Sequence, residues 1–347
     1  MHHAGQVALY VDLYHFIRLS ALGATATLPI LGAASARPQV APRQVAGLLA
    51  VATAFHAFAY IHNDVCDLEL DRTQPRRAHY PLVRGAIAPR VALAIALACV
   101  PLAFGLDRWL VGRSHATGRG RGAHLAHAFL LLAAYNRWGK RCPLPPLTDF
   151  VQALGWAALI HYGAAATGKP SRLTQLLVAY EILLIMLVNG LHGALRDLAN
   201  DAARGAHTTA ILFGASVLPG DRLRLPPGLL GYAAALQLAL LALPISGVVA
   251  NLPGYTPAER VVAAGAVGGV AAATVALLVA AAHDLGDPIG AGMAHLVLLL
   301  SAPVALVAPG MAPRARAALL AAHLLPLLPN GMTYDALRWA LGFRMRR

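Results

Sequence analysis

The sequence predicts an all-α, polytopic membrane bundle of about nine transmembrane helices, with a possible tenth C-terminal segment. Three observations carry this. The 347 residues are 58% hydrophobic and only 12% charged, about half the charge of a typical soluble domain. Several stretches approach or exceed the ~20 apolar residues that span a hydrocarbon core; Val261–Ala282 runs 22 residues without an ionisable group. The predicted helices also lack the polar stripe that a soluble bundle shows on its outer face.

The elements follow from apolar runs bounded by charge or by Pro/Gly breaks. The first, 14–36, follows Asp12 and stops at Arg37-Pro38. Segment 43–62 starts after Pro42 and ends at Asn63-Asp64; 90–111 starts after Pro89 and runs into Arg113. Segments 122–136 and 148–167 flank the basic YNRWGKR stretch, and 173–195 follows Lys169-Pro170-Ser171. Three more, 226–250, 260–283 and 289–308, each begin at or close after a proline. A tenth apolar run, 315–329, is short and contains Pro326 and Pro329, so it crosses, re-enters or lies along the interface. The whole chain, 1–347, reads as one integral membrane domain.

Net charge is +13. The basic residues are scattered through the loops, with no arm interleaved with aromatics, so nucleic acid is excluded as a partner. Anionic head groups of the lipid bilayer and phosphorylated substrates fit better. Cys66, Cys99 and Cys142 have no CxxC spacing and imply neither a disulfide framework nor a zinc site. The run ending Ala34-Ser35-Ala36 has the form of a signal-peptide core, but the long preceding segment with Asp12 argues against cleavage.

The scarce carboxylates are gathered in HNDVCDLELDR, residues 62–72. Asn63, Asp67 and Asp71 have i, i+4, i+8 spacing, which stacks side chains on one helix face. Asp197, Asp201 and Gly205 repeat it 134 residues later, after four further spans. This pattern predicts two four-helix halves, about 14–136 and 148–283, around a central cavity, with both ladders at one membrane face. Twelve Lys and Arg lie in the segments on that side and nine opposite. The positive-inside rule therefore points the ladders to the cytoplasm of a multi-pass protein of the cell inner membrane. If 315–329 crosses, Arg338, Arg344, Arg346 and Arg347 join that side.

Facing carboxylate ladders repel unless a cation sits between them. Oxygen-only ligands from short side chains suit Mg²⁺, which completes its shell with phosphate oxygens and water. Asn63, Asp67, Asp71, Asp197 and Asp201 are the candidate metal ligands. Arg72, Arg76, Arg77, Lys140, Arg141 and Arg204 are the candidate diphosphate binders, since guanidinium forks match phosphate oxygens. A diphosphate held at the rim with its tail among apolar spans describes a polyprenyl diphosphate donor. Asp64, one residue off the ladder face, binds metal, orients Arg72 or stays solvated. His192 is a candidate proton acceptor, and Asn189, two turns before Asp197, a candidate for orienting a ligand. Glu181 is expected to make a structural hydrogen bond within the bundle. Tyr60, His56, His161 and Tyr162 are expected to pack.

The same residues resemble a known family. HNDVCDLELDR carries the NDxxDxxxD signature of the UbiA superfamily of intramembrane prenyltransferases; DLANDAARGAHTTAILFG is similar to its second acidic signature. YNRWGKR resembles its basic run between spans four and five, and PLVRG its RPLxxG. The resemblance implies a mostly nine-helix bundle and Mg²⁺-dependent transfer of a prenyl group to an acceptor that the sequence does not identify. It implies metal or diphosphate roles for Asn63, Asp64, Asp67, Asp71, Asp197 and Asp201, and for Arg72, Lys140 and Arg141. The chain departs from the pattern at Tyr80, where the family usually has Arg, and at His207, often basic. It departs again at Gly205, often a third acid, and at Gly193, often Tyr. The last departure keeps open an alternative, a UbiA-type terpene cyclase that closes the prenyl chain on itself without an acceptor.

Overall fold

Proline starts most of the helices. A computed structural model describes residues 11–111, 118–220, 222–283 and 288–327. In chain order the helices are α1 (Leu22–Ala36), α2 (Pro42–Cys66), the one-turn α3 (Leu68–Asp71), α4 (Pro89–Leu106), α5 (Gly118–Trp138) and α6 (Pro145–Thr167). Then come α7 (Arg172–Leu187), the short α8 (Leu198–Ala203), α9 (Pro227–Val249), α10 (Pro257–His283), α11 (Pro288–Val307) and α12 (Pro313–Leu324). Seven of these open on a proline. Its fixed φ suits the first helical position, where its missing N–H would have had no partner anyway. α7 is capped instead by Ser171, whose Oγ accepts the Thr174 N–H at 3.2 Å.

Among the described residues, seven helical segments are long and apolar enough to cross a membrane. They include α1, α2, α4 and α9, and α7 with its extension to Arg196. α5 and α6 have 21 and 23 residues, enough to span, but carry more polar side chains. Two of their polar groups share one partner: Tyr162 of α6 donates to Asp107 at 2.8 Å, and Arg121 of α5 bridges to the same carboxylate at 2.7 Å. This is how ionisable groups survive inside a bundle. Large apolar side chains such as Leu238, Val261 and Leu130 lie on its outside, as expected where the solvent is lipid.

The structure revises one expectation and bears on two others. The span predicted over 14–36 is broken at Arg18, which adopts a left-handed conformation (φ 47°) before the helix resumes. His56 Nε2 lies 2.8 Å from the Ile17 carbonyl and 3.2 Å from that of Arg18, which also accepts the Ala21 N–H at 2.9 Å. Ala34 and Ser35 of the suspected cleavage triplet are buried, and the Ser35 hydroxyl lies 2.7 Å from Thr174 Oγ1. The tenth segment forms the 12-residue α12, about 18 Å long at 1.5 Å per residue, too short to cross alone. Arg338, Arg344, Arg346 and Arg347 lie outside the described residues.

α1 and α6 approach without side chains between them. A Cβ on Gly163 would lie 2.6 Å from the Pro29 carbonyl carbon, and one on Gly32 would lie 2.8 Å from that of Ile160. Close approach through small residues is how membrane helices gain packing energy in place of a hydrophobic drive.

Candidate active site

The first ladder is not one straight helix. α2 ends at Asp67, whose backbone (φ −96°, ψ 5°) leaves the helix before α3 resumes it. The second motif does the same at Asp197 (φ −103°, ψ 5°), followed by α8. Asp71 N–H bonds Asp67 O at 2.8 Å, and Asp201 N–H bonds Asp197 O at 2.9 Å. The backbone therefore equates Asp67 with Asp197 and Asp71 with Asp201, an offset of 130 residues instead of the 134 read from the spacing. Asn63 then matches Gly193, and Gly205 drops out of the comparison. Gly205 sits at φ +65°, just beyond α8, a conformation that glycine adopts without cost.

The two short helices meet. Thr73 Oγ1 donates to Asn200 Oδ1 at 2.9 Å, and Asn200 Nδ2 reaches Leu70 O at 3.4 Å. Asp71 and Asp201, at 3% and 1% exposure, are each held by a cation from elsewhere. Arg77 Nη1 lies 2.6 Å from Asp71, and Lys140 Nζ 3.0 Å from Asp201. Arg196 hydrogen-bonds its neighbour Asp197 at 2.8 Å. Asn63 donates to Asp67 at 3.3 Å and to Asn136 of α5 at 3.4 Å. Lys140 and Arg77 both exert their charge on Asp67, Asp197 and Asp201, so they stand between the two motifs.

These cations do not fully offset the buried negative charge. Burial pushes Asp71 up to about 6, although Arg77 opposes it. It also raises Asp67 and Asp201. Burial acts the same way on Asp197, but the hydrogen bond and charge of Arg196 outweigh it and hold that carboxyl below its ordinary value. Among the described residues no three His, Cys, Asp or Glu side chains converge closely enough to hold a metal ion as they stand. Asp71, Asp197 and Asp201 are turned onto Arg77, Arg196 and Lys140 instead. The donor set fits Mg²⁺ by its chemistry: oxygen donors only, buried, and short of positive charge.

Other predicted site residues separate into two groups. Asp64 is buried and ion-paired with Arg18, and lies 3.5 Å from Arg77; it does not orient Arg72. Arg72 turns outward and pairs with exposed Glu69 at 2.7 Å. Arg76 and Arg204 are exposed. Arg141 reaches the carbonyls of Arg137 and Cys66 at 3.4 Å, a cation closing the C-terminal ends of α5 and α2. Asn189 bonds Gln152 of α6 and leans on Asp149. His192 lies 3.2 Å from His295 of α11. Arg77 and Lys140 are thus the clamp candidates that reach the acidic cluster.

Two residues escaped the sequence reading. Arg18 reaches Asp64 from the broken first span and lies over the Tyr60 ring, 5.2 Å from its centre. Asp149 of α6 accepts from Thr209 at 2.5 Å. Each is an isolated charge inside a predicted apolar span, a signal that by itself marks a position for scrutiny.

The UbiA prenyltransferase family profile matches residues 24–220. The chain belongs to the UbiA prenyltransferase family. No curated protein sequence matches it. Solved structures share its fold. A UbiA homolog from Aeropyrum pernix K1, in its apo form, is 22% identical, with a TM-score of 0.58 over 82% of this chain and 96% of that one. A structure of digeranylgeranylglyceryl phosphate synthase gives 0.60 at 15% identity, over 87% and 98%. A UbiA homolog from Archaeoglobus fulgidus, bound to GPP and Mg²⁺, gives 0.56 at 15% identity, over 85% and 99%. The protein is therefore an integral, multi-pass membrane transferase of the UbiA type. The family's positions that differ here have local partners. Tyr80 stacks on His15 at 5.0 Å and lies under Arg77, while His207 bonds the Lys140 carbonyl through its backbone N–H at 2.9 Å.

Proposed function

We propose that this UbiA protein is a Mg²⁺-dependent intramembrane prenyltransferase of the cell inner membrane. Its site faces the cytoplasm, and it moves the prenyl group of a polyprenyl diphosphate to an acceptor. The observation that carries this reading is the Thr73–Asn200 bridge, which joins the two acidic motifs with Lys140 bound to one of them. The A. fulgidus homolog bound to GPP and Mg²⁺ supports the same donor chemistry.

Asn63, Asp67, Asp71, Asp197 and Asp201 would hold the metal, which when bound neutralises charge on the diphosphate leaving group. Arg77 and Lys140 supply charged donors to the diphosphate oxygens. Arg18 and Asp64 fix each other beneath that rim. Apolar walls exclude water from the allylic carbon, and the Tyr60 and Trp156 rings, with centroids 6.0 Å apart, offer faces to a developing cation.

The test uses the purified full chain in nanodiscs with labelled geranylgeranyl diphosphate, Mg²⁺ and a membrane-lipid extract as acceptor source. Wild-type protein should release diphosphate and yield a prenylated lipid, whereas Asp67→Ala and Asp201→Ala, still folded by circular dichroism, should do neither. Turnover near wild type in either variant ends the metal-site reading. A cyclic hydrocarbon formed without extract replaces transfer by cyclisation.

A further inference from the structure

Lys140 sits in the short turn Gly139–Arg141, between α5 and α6. A lysine carries its charge on a flexible four-carbon stem, so where that charge rests depends on what fixes its backbone. The Lys140 carbonyl accepts the His207 N–H at 2.9 Å. His207 belongs to the loop that leaves the second acidic motif, and Asp201 of that motif holds Lys140 Nζ at 3.0 Å. One segment, 201–207, therefore grips Lys140 both at its backbone and at its tip.

That segment has an anchor of its own. Two residues beyond His207, Thr209 Oγ1 donates to Asp149 Oδ2 of α6 at 2.5 Å. The adjacent Thr148 hydroxyl shares its proton between Pro145 O at 2.9 Å and Gly139 O at 3.2 Å. The contacts thus close a ring that runs from α6 to Gly139 and Lys140, on to His207, and back through Thr209 to Asp149. Thr209 is 1% and Asp149 6% exposed, so water does not readily replace their bond. A carboxylate acceptor makes hydrogen bonds of the shorter, stronger kind. The Thr209 methyl is seated separately, against α7's extension: a Cβ on Gly190 would come 3.3 Å from Thr209 Cγ2.

We propose that Asp149 and Thr209 are positioning residues: their hydrogen bond pins the loop after the second motif to α6 and so seats Lys140 against Asp201, where it meets the diphosphate. This rests on the reading of Lys140 as a diphosphate donor given above. Without the bond the loop loosens from α6, His207 releases the Lys140 carbonyl, and the lysine charge spreads over many positions instead of one. The loss falls on donor binding by way of Lys140.

The test measures Mg²⁺-dependent binding of geranylgeranyl diphosphate to the purified full chain in nanodiscs, together with amide hydrogen exchange at His207. Thr209→Val keeps the side chain's shape and methyl and removes its hydroxyl. It should speed exchange at His207 and weaken donor binding about fivefold, the size of one buried hydrogen bond. Thr209→Ser restores the hydroxyl and should bring affinity back to within about twofold of wild type. Asp149→Ala should repeat Thr209→Val. Added to Lys140→Met, Thr209→Val should change donor affinity by less than about twofold, because effects that act through one group do not add. A merely structural role predicts the same loss in both backgrounds. Wild-type donor affinity in Thr209→Val, unchanged exchange at His207, or the full further loss in Lys140→Met overturns the proposal. If Asp149→Ala fails to fold, the Thr209 variants decide alone. Absence of donor binding by wild type instead defeats the prenyl-transfer reading, and exchange at His207 in Thr209→Val then decides whether the bond seats Lys140.

Discussion

Replacing Lys140 with methionine keeps the side chain's length and removes its charge. Lys140 Nζ is 3.0 Å from Asp201, and its charge also reaches Asp67 and Asp197. In the donor complex it would turn part of its hydrogen bonding to the diphosphate. Hydrogen bonds to charged groups contribute about 1.5–3 kcal/mol. The lysine side chain is 26% exposed, so solvent screening favours the lower half, about 1.5–2 kcal/mol. That corresponds to roughly 10- to 30-fold in donor dissociation constant. Mg²⁺ alone should respond in the opposite sense, because removing a competing cation leaves Asp201 freer to bind metal. The assay is equilibrium binding of geranylgeranyl diphosphate at saturating Mg²⁺, with Mg²⁺ affinity followed by thermal shift without donor. Donor affinity within twofold of wild type, or donor and Mg²⁺ affinity falling together, would refute the placement of Lys140 between the motifs.

The other expectations follow from the same geometry. Arg77→Ala should weaken donor binding tenfold or more, because Arg77 holds Asp71 at 2.6 Å. Arg72→Ala should change it less than twofold, because Arg72 pairs outward with Glu69; the ratio of dissociation constants reads the difference. Gly163→Ala should destabilise the bundle. Its Cβ would meet backbone at 2.6 Å, and relief to an ordinary contact needs α1 and α6 to part by about 1 Å, for about 1–3 kcal/mol of overpacking. A thermal midpoint unchanged from wild type would contradict that close approach. Mg²⁺ affinity should fall as pH drops from 7 to 5. Burial places the Asp71 carboxyl at about 6, so below that pH a proton competes with the metal for it; a flat profile in metal titrations would count against Asp71 as a ligand.

The sequence by itself determined the class of the molecule and the places where its helices begin. Those features are local: an apolar run is long enough to span or it is not, and a proline at the start of a run fits only the first turn. It also singled out, by their repeated i, i+4 spacing, the carboxylates proposed to hold the metal. The sequence did not decide their partners. Arg72 and Arg77 are both arginines just beyond the first motif, yet only Arg77 turns inward onto Asp71. The register of the two motifs depended on where the backbone leaves the helix, at Asp67 and Asp197, which side-chain spacing does not encode. Arg18 joined the site because the first span breaks and folds its side chain under α2. Glu181 has no hydrogen bond among the described residues, although the sequence led us to expect one. Whether two side chains meet is settled by how whole helices pack, and that packing sums many contacts distant in sequence; no local pattern carries it.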